Sequence, residues 1–150
     1  MIYIASDHGG FKLKQSLVKF LKTNNYDVQD MGPQNYDEKD DYPDYVIPVV
    51  RKVQESVENK GVLICRNGVG VCMLANKMMG IRAGISWNPK HARSQRNDDD
   101  TNVLALPANY VCAAKAKRIL KSWLETYFSS EERHVRRLEK IYSYDNTGNI

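Results

Sequence analysis

The chain has 150 residues, of which 42% are hydrophobic and 27% charged, with a net charge of +4. That composition places it with ordinary soluble globular proteins and suits one domain. No apolar run approaches the ~20 residues of a membrane span, and no basic stripe interleaved with aromatics appears, so neither a membrane nor a nucleic-acid partner is expected.

The N-terminus, "MIYIASDHGG", has no basic region followed by a long apolar stretch, so no signal peptide is expected and the chain reads as cytoplasmic. "IYIA" (2–5) predicts a first strand. "GFKLKQSLVKFLKTNN" (10–25) places Leu13, Leu17 and Leu21 at i, i+4, i+8, which predicts an amphipathic helix. "YDVQDMG" (26–32) predicts a second strand that stops at Gly32-Pro33, and the polar, acidic residues 33–44 form the longest loop. A second helix is expected from Pro43 to about Asn59, with Val46, Val49, Val50 and Val53 as its apolar stripe.

"GVLIC" (61–65) is a continuous apolar run, which suits a strand covered on both faces. After the glycine loop, "CMLANKMM" (72–79) predicts a helix and "GIRAGIS" (80–86) a fourth strand. "NPKHARSQRND" (88–98) predicts a short polar helix and "NVLALP" (102–107) a fifth strand. "CAAKAKRILKSWLETYF" (112–128) predicts a helix with Ala116, Ile119, Leu120 and Trp123 inward. A last helix starts near "SSEERHVRRLEKIY", where Ser129 and Glu132 have capping-box spacing, and residues 143–150 are expected to fray.

Strands alternating with helices imply right-handed crossovers: an α/β fold with a five-stranded parallel sheet, order 2-1-3-4-5, and helices on both faces. Ligands bind such sheets at the carboxyl ends of strands where the strand order reverses. Two loops have the composition for that site, "SDHGG" (6–10) and "CRNGVG" (65–70), and this order makes them neighbours.

The three cysteines, Cys65, Cys72 and Cys112, include no C-x-x-C pair and support neither a disulfide framework nor a zinc ribbon. Cys65 stands where a buried strand meets a helix N-terminus, whose amides and partial positive charge favour a thiolate. Gly68 and Gly70 let backbone amides approach a ligand and hold a developing oxyanion. From these residues alone, a nucleophilic or basic thiol and a plain core cysteine both remain open. "RNGVGVCM" lacks the Lys-Ser/Thr of a P-loop and the third glycine of a dinucleotide fingerprint. In "SDHGGF", Asp7 and His8 offer one group for a sugar hydroxyl and one for an anion. Asp98, Asp99 and Asp100 are successive, and His8, His91 and His134 are scattered, so no metal site is expected.

Taken in order, "SDHGGFKLK", "DYPDY", "GVLICRNGVG", "ANKMMGIRA", "DTNVLAL" and "RHVRR" resemble the motifs of the type B ribose-5-phosphate isomerases and the related galactose-6-phosphate isomerase subunits. The resemblance runs from Met1 to about Ile141. It implies one sugar-phosphate isomerase domain over residues 1–150, with a Rossmann-like three-layer α-β-α fold. It further implies a homodimer, in some members a tetramer, and no metal or nucleotide cofactor. The implied reaction interconverts ribose 5-phosphate and ribulose 5-phosphate through a cis-enediolate.

On that resemblance Cys65 falls at the base position. The amides around Asn67, Gly68, Val69 and Gly70 form the anion hole, and Asp7, His8 and Tyr42 line the sugar site. Arg133 and Arg137 match phosphate-binding arginines on a helix that reaches into the neighbouring subunit's site; they lie one turn apart on one face. The pattern is broken at several positions. Arg66 and Asn67 replace Gly and Thr, with Arg66 placed to lower the thiol's pKa or to contact substrate. Asp98 and Asp99 replace a ring-opening His and the Asn after it. Asn109 stands where Arg is frequent, and Glu131-Glu132 replace a glycine pair. Asp98 would accept the anomeric hydroxyl proton, or be kept protonated by Asp99 and Asp100, and His91 is a candidate substitute. Two alternatives are an isomerase of a hexose 6-phosphate (allose or galactose 6-phosphate) and a non-catalytic phosphosugar-binding module.

Overall fold

Along the first strand Ile2 and Ile4 pack into one apolar cluster while Tyr3 and Ala5 pack into another, so the sheet has a covered face on each side. The same alternation repeats in the two strands beside it: Val62 and Ile64 against Leu63 and Cys65, then Leu104 and Leu106 against Val103 and Ala105. The structure, a computed structural model, describes residues 1–147.

In chain order the elements are β1 (Ile2–Ser6), α1 (Phe11–Thr23), β2 (Val28–Asp30), α2 (Pro43–Gln54), β3 (Lys60–Cys65), α3 (Val69–Ala75), β4 (Ala83–Ile85), α4 (Pro89–Asp99), β5 (Val103–Pro107), α5 (Ala113–Leu124) and α6 (Glu132–Thr147). All strand pairs are parallel. Helices α1, α4 and α5 supply Leu13, Leu17, Ala92, Ile119 and Trp123 to one face, and α2 and α3 supply Val46, Val49, Val50, Val71 and Ala75 to the other. This is the three-layer Rossmann-like α/β arrangement that the resemblance implied.

The strand order is β2-β1-β3-β5-β4, not the expected 2-1-3-4-5. Burial explains the exchange. All five residues of β5 are buried, so it needs a neighbour on each edge, whereas the three residues of β4 are half-buried and can serve as an edge. The right-handed crossover from β4 back to β5 then places α4 on the α1–α5 face, where Ala92 joins the core. The β1/β3 adjacency that brings the two candidate loops together is unaffected.

Several boundaries also differ. Helix α2 stops at Gln54 rather than Asn59, because the Asn59 side chain donates to the Lys52 carbonyl at 2.8 Å and the chain turns into β3. Helix α3 begins at Val69, three residues earlier than expected, immediately after Gly68. Ser129 and Glu132 do not form a capping box: the Ser129 hydroxyl bonds the His134 ring at 2.7 Å and accepts from the Glu131 amide, and Glu132 faces Arg136. Helix α6 continues to Thr147, where a frayed tail was expected from about residue 143; residues 148–150 lie outside the described residues. Among the described residues no helix is long and apolar enough to cross a membrane.

Candidate active site

Cys65 is the last residue of β3 and is 4% exposed. The loop after it folds back on its sulfur. The Gly68 amide donates to Cys65 Sγ at 3.1 Å, Cys65 Sγ lies 3.6 Å from Asn67 Oδ1, and that oxygen accepts from the Val69 amide at 3.0 Å. Gly68 makes this turn at φ +75°, a left-handed conformation that a side chain would strain. A Cβ there would also meet the Pro107 nitrogen at 3.2 Å. The loop is tied to the end of β5 by two amides, Ala108 donating to the Cys65 carbonyl and Asn109 to the Arg66 carbonyl, each at 2.9 Å.

The end of β1 lies alongside. The Asp7 amide donates to the Ile64 carbonyl at 3.2 Å, which fixes the first loop against the second. The Asp7 carboxylate accepts from the Gly10 amide at 3.1 Å, and burial pushes its pKa above the usual carboxylate value. His8 is held from the long acidic loop. Its Nδ1 lies 2.7 Å from Asp40 Oδ1, and its backbone amide donates to the same oxygen at 2.8 Å. The Asp40 hydrogen bond raises the His8 pKa above its ordinary value. Tyr42 comes from the start of α2 and packs on Gly70, where a Cβ would meet its ring at 2.7 Å.

These residues enclose a cavity of about 230 Å³ lined by Asp7, His8, Tyr42, Cys65, Arg66, Asn67 and Gly70. Seven of the fourteen residues that the sequence nominated as site residues therefore line one space. Gly68 touches it through its bond to the sulfur, and Asn109 adjoins it through the Arg66 carbonyl. Val69 faces a neighbouring, mainly apolar cavity of about 430 Å³, shared with Asn67, Ile85, Trp87, Pro107, Tyr110 and Lys115. Asp40 was missed by sequence reasoning. It stands 32 residues from His8 in an acid-rich loop, and nothing in that loop's composition marks it out.

Asp98, Asp99, Arg133 and Arg137 are not among the residues that line the thiol cavity. Asp98, on α4, lies 4.0 Å from His134 Nε2 of α6 and accepts from the Asn97 amide group at 2.7 Å and from the Ser94 hydroxyl at 3.0 Å. Those contacts, the Asn97 hydrogen bond first, hold its pKa below the usual carboxylate value. It is thus a carboxylate at neutral pH, and protonation by its acidic neighbours is not what the structure supports. Asp99 lines a cavity of about 550 Å³ between β4, α4 and α6, and so does His91, which stacks on Trp87 with ring centroids 4.7 Å apart. Arg133 and Arg137 are exposed on α6, with Arg133 Nε donating to Glu131 at 2.8 Å.

A family model described as Ribose/Galactose Isomerase matches residues 2–141. The probable ribose-5-phosphate isomerase B of Mycoplasma genitalium is 41% identical over 145 residues, 96% of this chain and 95% of that one. The ribose-5-phosphate isomerase B of Escherichia coli is 36% identical over 148 residues, 99% of this chain and 98% of that one. Among solved structures, ribose-5-phosphate isomerase B from Mycoplasma genitalium with bound ribulose-5-phosphate has a TM-score of 0.94 at 40% identity and covers 97% of this chain and 96% of that one.

Proposed function

The chain belongs to the ribose/galactose isomerase family, and from that premise we propose that it is an enzyme that interconverts ribose 5-phosphate and ribulose 5-phosphate. The observation that carries the reading is the cavity at the ends of β1 and β3, where a thiol, a carboxyl, an imidazole, a phenol and a glycine loop meet. This cavity lies in a fold shared with a relative whose structure holds ribulose 5-phosphate.

The chemistry needs a base at C2 and a place for the charge that forms. Cys65, as thiolate, takes the C2 proton; the C–H electron pair becomes the C1–C2 double bond, and the carbonyl oxygen becomes the enediolate oxyanion. The sulfur then returns the proton to C1 while the O2 hydroxyl proton passes to O1, which leaves the ketose. The Gly68 amide already points at the sulfur, a contact that a thiolate accepts more strongly than a thiol. Because the Val69 amide is engaged by Asn67, the amides of Asn67 and Gly70 are the loop's donors to the oxyanion. Asp7 and Tyr42 hold sugar hydroxyls, and Arg66 and Asn109 border the same space. Proton transfer between adjacent carbons requires no cofactor.

A second copy of the chain completes the site. Arg133 and Arg137 stand one helical turn apart and exposed on α6, outside their own thiol cavity, as forks for a partner's phosphate-bearing substrate. Asp98 and Asp99 enter with them, and Asp98, a carboxylate, takes the anomeric hydroxyl proton of the cyclic sugar. The protein is then a cytoplasmic homodimer, alone or paired into a tetramer. The test is turnover of purified protein on ribose 5-phosphate against a hexose 6-phosphate. Cys65→Ala should lower kcat about 10²–10⁴-fold while substrate still binds. No turnover of the pentose phosphate, or full activity in Cys65→Ala, overturns the reading.

A further inference from the structure

His8 lines the thiol cavity, and its Nδ1 is taken up by Asp40, so Nε2 is the ring atom left to meet a ligand. One oxygen, Asp40 Oδ1, accepts from both the ring and the backbone amide of His8. It therefore sets the ring's orientation and the path of the chain at once. The side chain of Asp40 is only 6% exposed, against 19% for His8. The loop is itself braced, with the Lys39 amide on Asp37 Oδ1 at 2.9 Å and the Asp40 amide on the Asp37 carbonyl at 3.3 Å. A buried carboxylate with one oxygen given wholly to a histidine is a costly arrangement unless the histidine gains something from it.

We propose that Asp40 is a positioning residue for the isomerisation, fixing the His8 ring as a cationic donor whose Nε2–H meets an anionic oxygen of the bound phosphosugar. This rests on the phosphosugar reading above. Asp40 itself touches no substrate and acts through His8. The other titratable groups around the pair are Asp7 beside the ring, Cys65, Arg66 and Tyr42 around the cavity, and Tyr45 and Asp37 on the far side of Asp40. Asp7 and Asp40 both favour the charged ring, while burial opposes it. Without Asp40 the ring reverts towards an ordinary histidine, which is about one-tenth charged at pH 7.5.

The test has two arms. In the first, His8 is titrated by NMR in the unliganded protein, its signal assigned with His8→Asn. It should titrate above pH 6.5 in the parent and at a lower pH in Asp40→Asn. In the second, KM for ribose 5-phosphate and the affinity for inorganic phosphate are compared for parent and Asp40→Asn at pH 5.5 and 7.5. The variant should be weaker by about tenfold at pH 7.5 and should converge on the parent at pH 5.5, with kcat changed much less. A parent His8 that titrates at its ordinary value, or a loss equal at both pH values, overturns the proposal. The titration and the phosphate arm do not require turnover. A raised His8 with pH-dependent phosphate binding but no isomerisation would overturn the functional reading, and with it a role for Asp40 in isomerisation, and leave only Asp40's fixing of His8 as a donor to phosphate.

Discussion

The backbone amide of Gly68 donates to the sulfur of Cys65 at 3.1 Å, and it can do so only because residue 68 turns the chain at φ +75°. The sulfur and the amide that orients it are therefore three residues apart and set by one dihedral angle. Gly68→Ala should cost about 1–2 kcal/mol for the left-handed conformation, and more if the Pro107 backbone, 3.2 Å from the new Cβ, cannot shift. Because Asn tolerates this conformation better, Gly68→Asn should lose less stability and retain more activity. Urea unfolding of the two variants together with kcat measures both. Equal stability losses would show that the turn is not the constraint.

Much of this site was readable in advance for a simple reason. Residues 6–10 and 65–70 each end a strand, and β1 pairs with β3 in parallel, so their C-terminal loops must meet. Side-chain alternation then decides which residues face α2 and α3, and Cys65 is one of them. The order of β4 and β5 was not readable. Both are short apolar runs, and only the burial that each attains in three dimensions shows which one is central. Asp40 was hidden for a different reason: its partner is 32 residues away, and local patterns carry no information about such a pair.

The two halves of the proposed site lie apart in one chain, which predicts complementation between inactive variants. On the proposed reading, Cys65→Ala lacks the base and Arg137→Ala lacks a phosphate fork. If each site takes its sulfur from one chain and its arginines from the other, mixing and reassociating equal amounts should restore about a quarter of the parent activity. Half of randomly formed dimers are mixed, and each mixed dimer has one intact site. No recovery after confirmed subunit exchange would mean that Arg137 serves its own chain's cavity.

Stability should depend on a buried cation that does not line the thiol cavity. The Lys14 side chain is 1% exposed, and its ammonium contacts both oxygens of Asp30 at 2.6 Å, tying α1 to β2. Asp30→Ala leaves that charge buried and unpaired and should cost about 3 kcal/mol. It also removes the oxygen that accepts from the Gly32 amide. Replacing the cation itself, as in Lys14→Met, keeps the volume, removes the charge and should cost much less. Denaturant midpoints rank the two, and the reverse ranking would refute the account.

Asp7 should display a conflict between stability and activity. Its carboxyl is buried, and desolvation, the largest influence on it, raises its pKa above the unfolded value of 3.8. A group raised in the folded state stabilises the fold fully below its unfolded pKa, and that contribution is lost as pH rises through the folded value. The ionised form of Asp7 is thus the one that its surroundings disfavour. Asp7→Asn preserves the shape and an oxygen to accept from the Gly10 amide, but it removes the ionisation. The variant should therefore be more stable than the parent at pH 7.5 and close to it at pH 3, while isomerisation falls if, as proposed, the Asp7 carboxylate holds a sugar hydroxyl. Urea melts at the two pH values decide the matter: an Asp7→Asn protein less stable than the parent at pH 7.5 would mean that the ionised carboxylate is favoured where it sits.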